Sequence, residues 1–196
     1  GLASIALRAT DHPVAQDLLR AFGKPIAAPS ANISGRLSPT TAQNVAADLG
    51  DALALILDAG PCIVGVESTI VGLAPDEPPR LLRPGGVARD AIETLIGPLA
   101  APSGGVTAPG MLSSHYAPRA RLRLDSAAPE ADEVFLAFGP DAAPSALNLS
   151  ARGDLTEAAA NLYAYLRRLD STGAARIAVA PIPKHGLGEA INDRLA

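Results

Sequence analysis

The pattern of apolar and polar positions divides the chain into two runs of short alternating elements, separated by about twenty residues with little periodicity. In the first run, residues 2–7 are an apolar stretch that predicts a buried strand. Asp11 before His12-Pro13 marks a helix start, with Val14, Leu18 and Phe22 on one face and Gly23 as the stop. Residues 26–28 predict a short strand and 29–37 a polar loop. Ser38-Pro39 reads as cap and first-turn proline of a second helix, striped by Ala42, Val45 and Leu49 and ended by Gly50. Residues 54–57, 69–73 and 80–82 predict strands, the last two neighbours across the Pro-rich turn at 75–79, and 88–96 a helix.

Residues 97–118 are rich in Gly and Pro and read as a linker, of a length uncommon unless functional or disordered. Beyond it, residues 121–124, 134–138, 146–149 and 177–180 predict strands. Leu155, Ala159, Leu162, Leu166 and Leu169 mark an amphipathic helix capped by Asp154 and closed by Gly173, and 187–195 predict a last helix. Strands alternating with helices imply a small α/β layer structure with a largely parallel sheet.

Hydrophobic residues make up 48% of the chain and aromatics 3%, without Trp, so the core must be built from Ala, Leu, Val and Ile. Net charge is −4 and no Lys/Arg block occurs; Arg119, Arg121 and Arg123 alternate with apolar residues as on an exposed strand face. That argues against a generic nucleic-acid binder. Cys62, the only cysteine, allows no internal disulfide and reads as a buried structural residue. The apolar runs are too short for a membrane-spanning helix and no signal-like segment opens the chain, which reads as a cytoplasmic protein. A core strand from the first residues, with Met111 as the only methionine, reads as a chain whose upstream part is missing.

Four polar segments sit where strands end or helices begin: Ser4 with Arg8, PSANISG at 29–35, GVEST at 65–69, and Arg83-Pro84-Gly85-Gly86. Singly they read as turn formers, a strand cap or a surface ion-pair partner. Together, hydroxyls, an amide and two guanidinium groups presented from loops suit oxygen-rich anionic ligands. No nucleophile–His pair stands at useful spacing, so the chemistry is positioning and charge stabilisation. Glu67 has two readings, orienting its loop or approaching Mg²⁺.

PSANISG at 29–35, GVESTIV at 65–71, LRPG at 82–85 and PGMLSSHYAP at 109–118 occur in an order and spacing that resemble the Sua5/YrdC/YwlC family of threonylcarbamoyl-AMP synthases in its long form. The resemblance implies the C-terminal half of a YrdC-like twisted mixed-sheet α/β domain over 1–97, a linker and lid over 98–118, and a small Rossmann-like Sua5 domain over 119–196. It implies L-threonine, bicarbonate and ATP as substrates, Mg²⁺ with the ATP, pyrophosphate as by-product, and a product passed to the tRNA threonylcarbamoyl-transfer machinery. Carried over by motif, Arg8, Ser30 and Ser68 hold threonine; Ser4, Asn32, Thr40 and Arg83 contact ATP; and Tyr116 covers the nucleotide. Ser4 stands where Thr is usual, and Gly72 where Asp is frequent. The family's Lys/Arg-rich phosphate-gripping segment falls before Gly1, from which the chain alone is expected to bind ATP poorly and to be inactive. A carbamoyl-transferring relative and a non-catalytic RNA-binding module stay open as alternatives.

Overall fold

The computed structural model describes residues 4–101, 117–143 and 146–196. Pro13 opens α1 (Pro13–Phe22), and Gly23 ends it in the left-handed region (φ 68°) with its N–H on the Leu19 carbonyl. His12, held extended by the Pro that follows it, is the capping position in place of Asp11, and it makes no side-chain cap bond. Helix α2 (Ala42–Leu49) starts later than Ser38-Pro39 predicts. Its cap is Thr41, whose side chain accepts from the Asn44 N–H at 3.2 Å, while the Ser38 hydroxyl is taken by Glu67.

Strands β1 (Ile70–Gly72) and β2 (Arg80–Arg83) pair antiparallel, as their spacing predicts, with Val71 opposite Leu81. Helix α3 (Arg89–Ile96) follows and stops at Gly97. Among the described residues, the strands predicted at 26–28, 54–57 and over the described part of 2–7 join no ladder. Apolar runs signal burial, but burial needs a covering layer; among the described residues none covers Leu7 (86% exposed) or Leu55 (74%). Cys62 is exposed as well, against the reading that buried it.

The second run closes its own layer. Strands β3 (Arg121–Arg123), β4 (Glu133–Ala137) and β5 (Leu147–Asn148) precede helix α4 (Leu155–Asp170), strand β6 (Arg176–Val179) and helix α5 (Leu187–Leu195). The four strands lie in the order β3-β6-β4-β5, every pair parallel. Ile177, Ala178 and Val179 of β6 are all buried, the continuous apolar run expected of an inner parallel strand. Asp154 caps α4 by accepting from the Thr156 and Glu157 N–H groups at 2.7 and 3.1 Å. The helix ends at Ser171, ahead of the expected Gly173. Arg123 is no free surface charge: it shares Glu133 with Arg176, at 2.5 and 3.0 Å.

This is a mixed α/β architecture, an antiparallel pair followed by a parallel sheet with helices. Leu136, Leu149, Leu162, Leu166, Ile177 and Ile191 are fully shielded at its centre. Leu37 from the first run is buried in the same cluster and Val66 packs against it. Covering one such aliphatic side chain contributes about 1.5–3 kcal/mol, so the two runs are joined by apolar packing. Among the described residues no helix is long and apolar enough to cross a membrane.

Candidate functional site

Period-two alternation decides where Arg83 goes. Leu81 and Arg83 share one face of β2 and both are buried, Arg83 at 6% exposure, while Leu82 packs over Gly72 on the other face. A buried guanidinium needs acceptors. Arg83 donates to the Ser68 carbonyl oxygen from Nη2 at 2.8 Å and from Nε at 3.2 Å, and its Nη2 is 3.5 Å from the Ser68 Oγ. Of the expected site residues, Ser68 and Arg83 are therefore brought together, with Ser68 itself exposed.

The loops carrying them lie backbone against backbone. The Gly86 N–H donates to the Glu67 carbonyl oxygen at 2.9 Å. Thr69 Oγ1 donates to the Val87 carbonyl oxygen at 2.6 Å and accepts from the Val87 N–H at 3.0 Å. A Cβ on Gly85 would stand 2.3 Å from the Glu67 carbonyl oxygen, so only glycine lets residues 84–86 approach 67–69 this closely.

Glu67 faces the second run. Its Oε1 accepts from the Ser38 hydroxyl at 2.5 Å, and its Oε2 from the Tyr163 hydroxyl at 3.1 Å and Arg194 Nε at 2.6 Å. Burial pushes this carboxyl up, but the Arg194 charge and the hydrogen bonds from Ser38 and Arg194 outweigh it and hold the pKa below the usual carboxylate value. This occupancy supports the loop-orienting reading of Glu67. Arg194 also donates from Nη2 to the Pro84 carbonyl oxygen at 3.0 Å and contacts Asp193. Among the described residues, Arg167 with Asp48 and Arg89 with Glu189 also pair between the runs, each at 2.5 Å. Arg167 donates in addition to the Leu37 and Ser38 carbonyl oxygens.

The other expected contacts are placed less closely. Ser4, Arg8 and Ser30 are exposed, and among the described residues no hydrogen bond ties them to Ser68 or Arg83. Thr40 is buried; its carbonyl oxygen accepts from the Cys62 N–H at 2.8 Å. Asn32 donates through Nδ2 to the Ile33 and Arg36 carbonyl oxygens at 2.9 and 3.0 Å. Those bonds fix the amide's orientation and leave Oδ1 buried without a donor from the described residues. Tyr116 lies outside the described residues.

Sequence reasoning missed Ser38, Tyr163 and Arg194. A signal was present: Ile191, Arg194 and Leu195 recur at helical spacing, and an arginine on an apolar stripe implies a buried acceptor.

A chain of this architecture, with anion-suited loops braced by a parallel α/β layer, has known counterparts. Residues 1–85 match a family model named Sua5_yciO_yrdC and described as "Telomere recombination". Residues 87–196 match one described as "Threonylcarbamoyl-AMP synthase, C-terminal domain". The whole chain aligns at 38% identity with the Bacillus subtilis threonylcarbamoyl-AMP synthase, spanning 63% of it, and at 35% with that of Pyrococcus abyssi, spanning 64%. A crystal structure of P. abyssi Sua5 complexed with L-threonine superposes with a TM-score of 0.86 at 34% identity, over all of this chain and 64% of that one. The chain belongs to the Sua5 family.

Proposed function

We propose that this chain carries the threonine side and part of the nucleotide side of an active site that makes threonylcarbamoyl-AMP from L-threonine, bicarbonate and ATP, a nucleotidyl transfer. The observation that carries the reading is the Ser68–Arg83 pair, an exposed hydroxyl loop bound to a buried guanidinium, in a chain 34% identical to a Sua5 crystallised with L-threonine. In this reading Ser68, with Ser30 and Arg8, takes the threonine. Arg83, Asn32, Thr40 and Ser4 face the nucleotide, and Tyr116 closes over it. The unsatisfied Asn32 Oδ1 suits a hydroxyl or amino donor of a nucleoside.

The chemistry needs no protein nucleophile. The threonine amine bonds to the carbon of bicarbonate with loss of water, and a carboxylate oxygen of the resulting carbamate attacks the α-phosphorus as the bond to pyrophosphate breaks. What the protein supplies is alignment and positive charge against the anionic partners. Mg²⁺ belongs to this scheme as the counterion of ATP; no cluster of three metal-ligating side chains among the described residues is assigned to it. The adenylate would pass to a tRNA-modifying transferase in the cytoplasm.

The reading is tested by mass analysis of the product formed by the full gene product from ATP, bicarbonate and L-threonine. An adenylate carrying one threonine and one added carboxyl carbon is expected. Its absence, with ATP converted only to ADP or plain AMP, contradicts the reading.

A further inference from the structure

A closed ring of bonds runs through the two loops of the site. Glu67 and Ser68 are joined by a peptide bond, as are Arg83 and Pro84. The Arg83 guanidinium ties back to the Ser68 carbonyl oxygen at 2.8 Å. Arg194 of α5 spans the remaining gap, donating to Glu67 at 2.6 Å and to the Pro84 carbonyl oxygen at 3.0 Å. Tyr163 of α4 holds the same Glu67 oxygen at 3.1 Å. The loop's first residue is seated by α4 as well, since a Cβ on Gly65 would lie 2.2 Å from the Ala159 carbonyl oxygen.

We propose that Arg194 and Tyr163 are positioning residues for the reaction: the second half of the chain sets where Ser68 stands relative to Arg83. This rests on the reading above, in which those two residues meet threonine and ATP. Neither Arg194 nor Tyr163 needs to touch a substrate. Arg194 is 5% exposed and its planar fork reaches two acceptors on different loops, which the single ammonium of Lys cannot duplicate. A ring restrains relative position more than its separate links do, and this one adds to the Gly86–Glu67 and Thr69–Val87 bonds that already hold the two loops against each other. A shift of about 1 Å at a substrate contact is enough to lose most of its effect. On this view the C-terminal domain is a wall of the site's foundation and not an appended module.

The test uses the full gene product with Arg194→Met, Arg194→Lys and Tyr163→Phe. Pyrophosphate release is measured with L-threonine and ATP varied separately, and thermal unfolding is followed on the same preparations. The threonine KM is expected to rise about tenfold in Arg194→Met, and by less in Tyr163→Phe, in protein still folded at the assay temperature. Arg194→Lys, which keeps the charge but not the bridge, is expected in between. A threonine KM that stays put while the maximal rate falls with the folded fraction overturns the proposal. If Arg194→Met does not fold, Tyr163→Phe decides, and an unchanged threonine KM there overturns it too. If the unsubstituted protein shows no threonine-dependent release, the functional reading has failed instead. Amide exchange at Gly86, whose N–H donates to the Glu67 carbonyl oxygen, then still reports the ring: faster exchange in Tyr163→Phe and Arg194→Lys supports it, and unchanged exchange overturns it.

Discussion

The Glu67 carboxylate and the Arg194 guanidinium stand 127 positions apart in sequence and meet at 2.6 Å in the structure. Both are largely buried, so each is the main compensation for the other's lost hydration. Glu67 lies one residue before Ser68, and Arg194 lies on the last helix. The pair therefore couples the docking of the two halves to the geometry of the candidate site.

That coupling has a pH signature. The Glu67 carboxyl is held below its ordinary 4.5, because the Arg194 charge and the hydrogen bonds from Ser38 and Arg194 exceed the cost of burial. A carboxyl with a lower pKa folded than unfolded contributes stability that is present above its unfolded value and lost as pH falls through the folded one. Asp193 works the other way: burial raises its pKa against the pull of Arg194 and Arg83, so protonation on acidification favours the folded state there. In urea unfolding from about pH 7 to about pH 3, Glu67→Gln is expected to flatten the acid loss of stability. Parallel profiles for the two proteins would contradict the assignment.

Glu133 gives a second acid-sensitive point, inside the parallel sheet. The Arg123 side chain, with the Glu130 backbone N–H and Arg176, brings its carboxyl from 4.5 down to about 2. The sign is the same, and the stability it contributes is lost between those two values as pH falls. NMR titration of the Glu133 carboxyl should show ionisation persisting well below pH 4.5. A midpoint at that ordinary value would mean that Arg123 and Arg176 do not hold it in solution.

Gly65→Ala tests how tightly the substrate loop is seated on α4. Gly65 has φ 75° and its added Cβ would run into the Ala159 and Ala160 backbone, which cannot swing aside as a flexible side chain can. Left-handed strain and overpacking together predict a loss of roughly 2–4 kcal/mol, read as a lower denaturant midpoint. An alanine protein as stable as the original would show that α4 does not press on this loop.

Arg83→Ala separates ligand contact from scaffolding. As a charge-assisted contact to ATP, Arg83 should contribute about 1.5–3 kcal/mol to nucleotide affinity, a rise of about ten- to a hundredfold in Kd by calorimetry. Unchanged nucleotide affinity would leave Arg83 a scaffolding role, in which its bond to the Ser68 carbonyl takes part.

The second half was the more legible in sequence, for a physical reason. Its helix α4 carries its cap, stripe and last turn locally, and the apolar runs of β4 and β6 find partners within the same unit. In the first half the same kind of run, at 54–57, needs a covering layer that the described residues do not supply. The motif loops could be located by their glycines and hydroxyls. Their anchors could not, because Ser38, Tyr163 and Arg194 reach Glu67 across 29, 96 and 127 positions, and no local period records such a contact. Ser38 misled directly: next to Pro39 it resembles a helix cap, whereas the carboxylate of Glu67 claims its hydroxyl.

The central claim is most directly tested by pyrophosphate release from ATP by the full gene product, with L-threonine and bicarbonate each omitted in turn. The account predicts release that requires both. Release that proceeds equally well without threonine would contradict it.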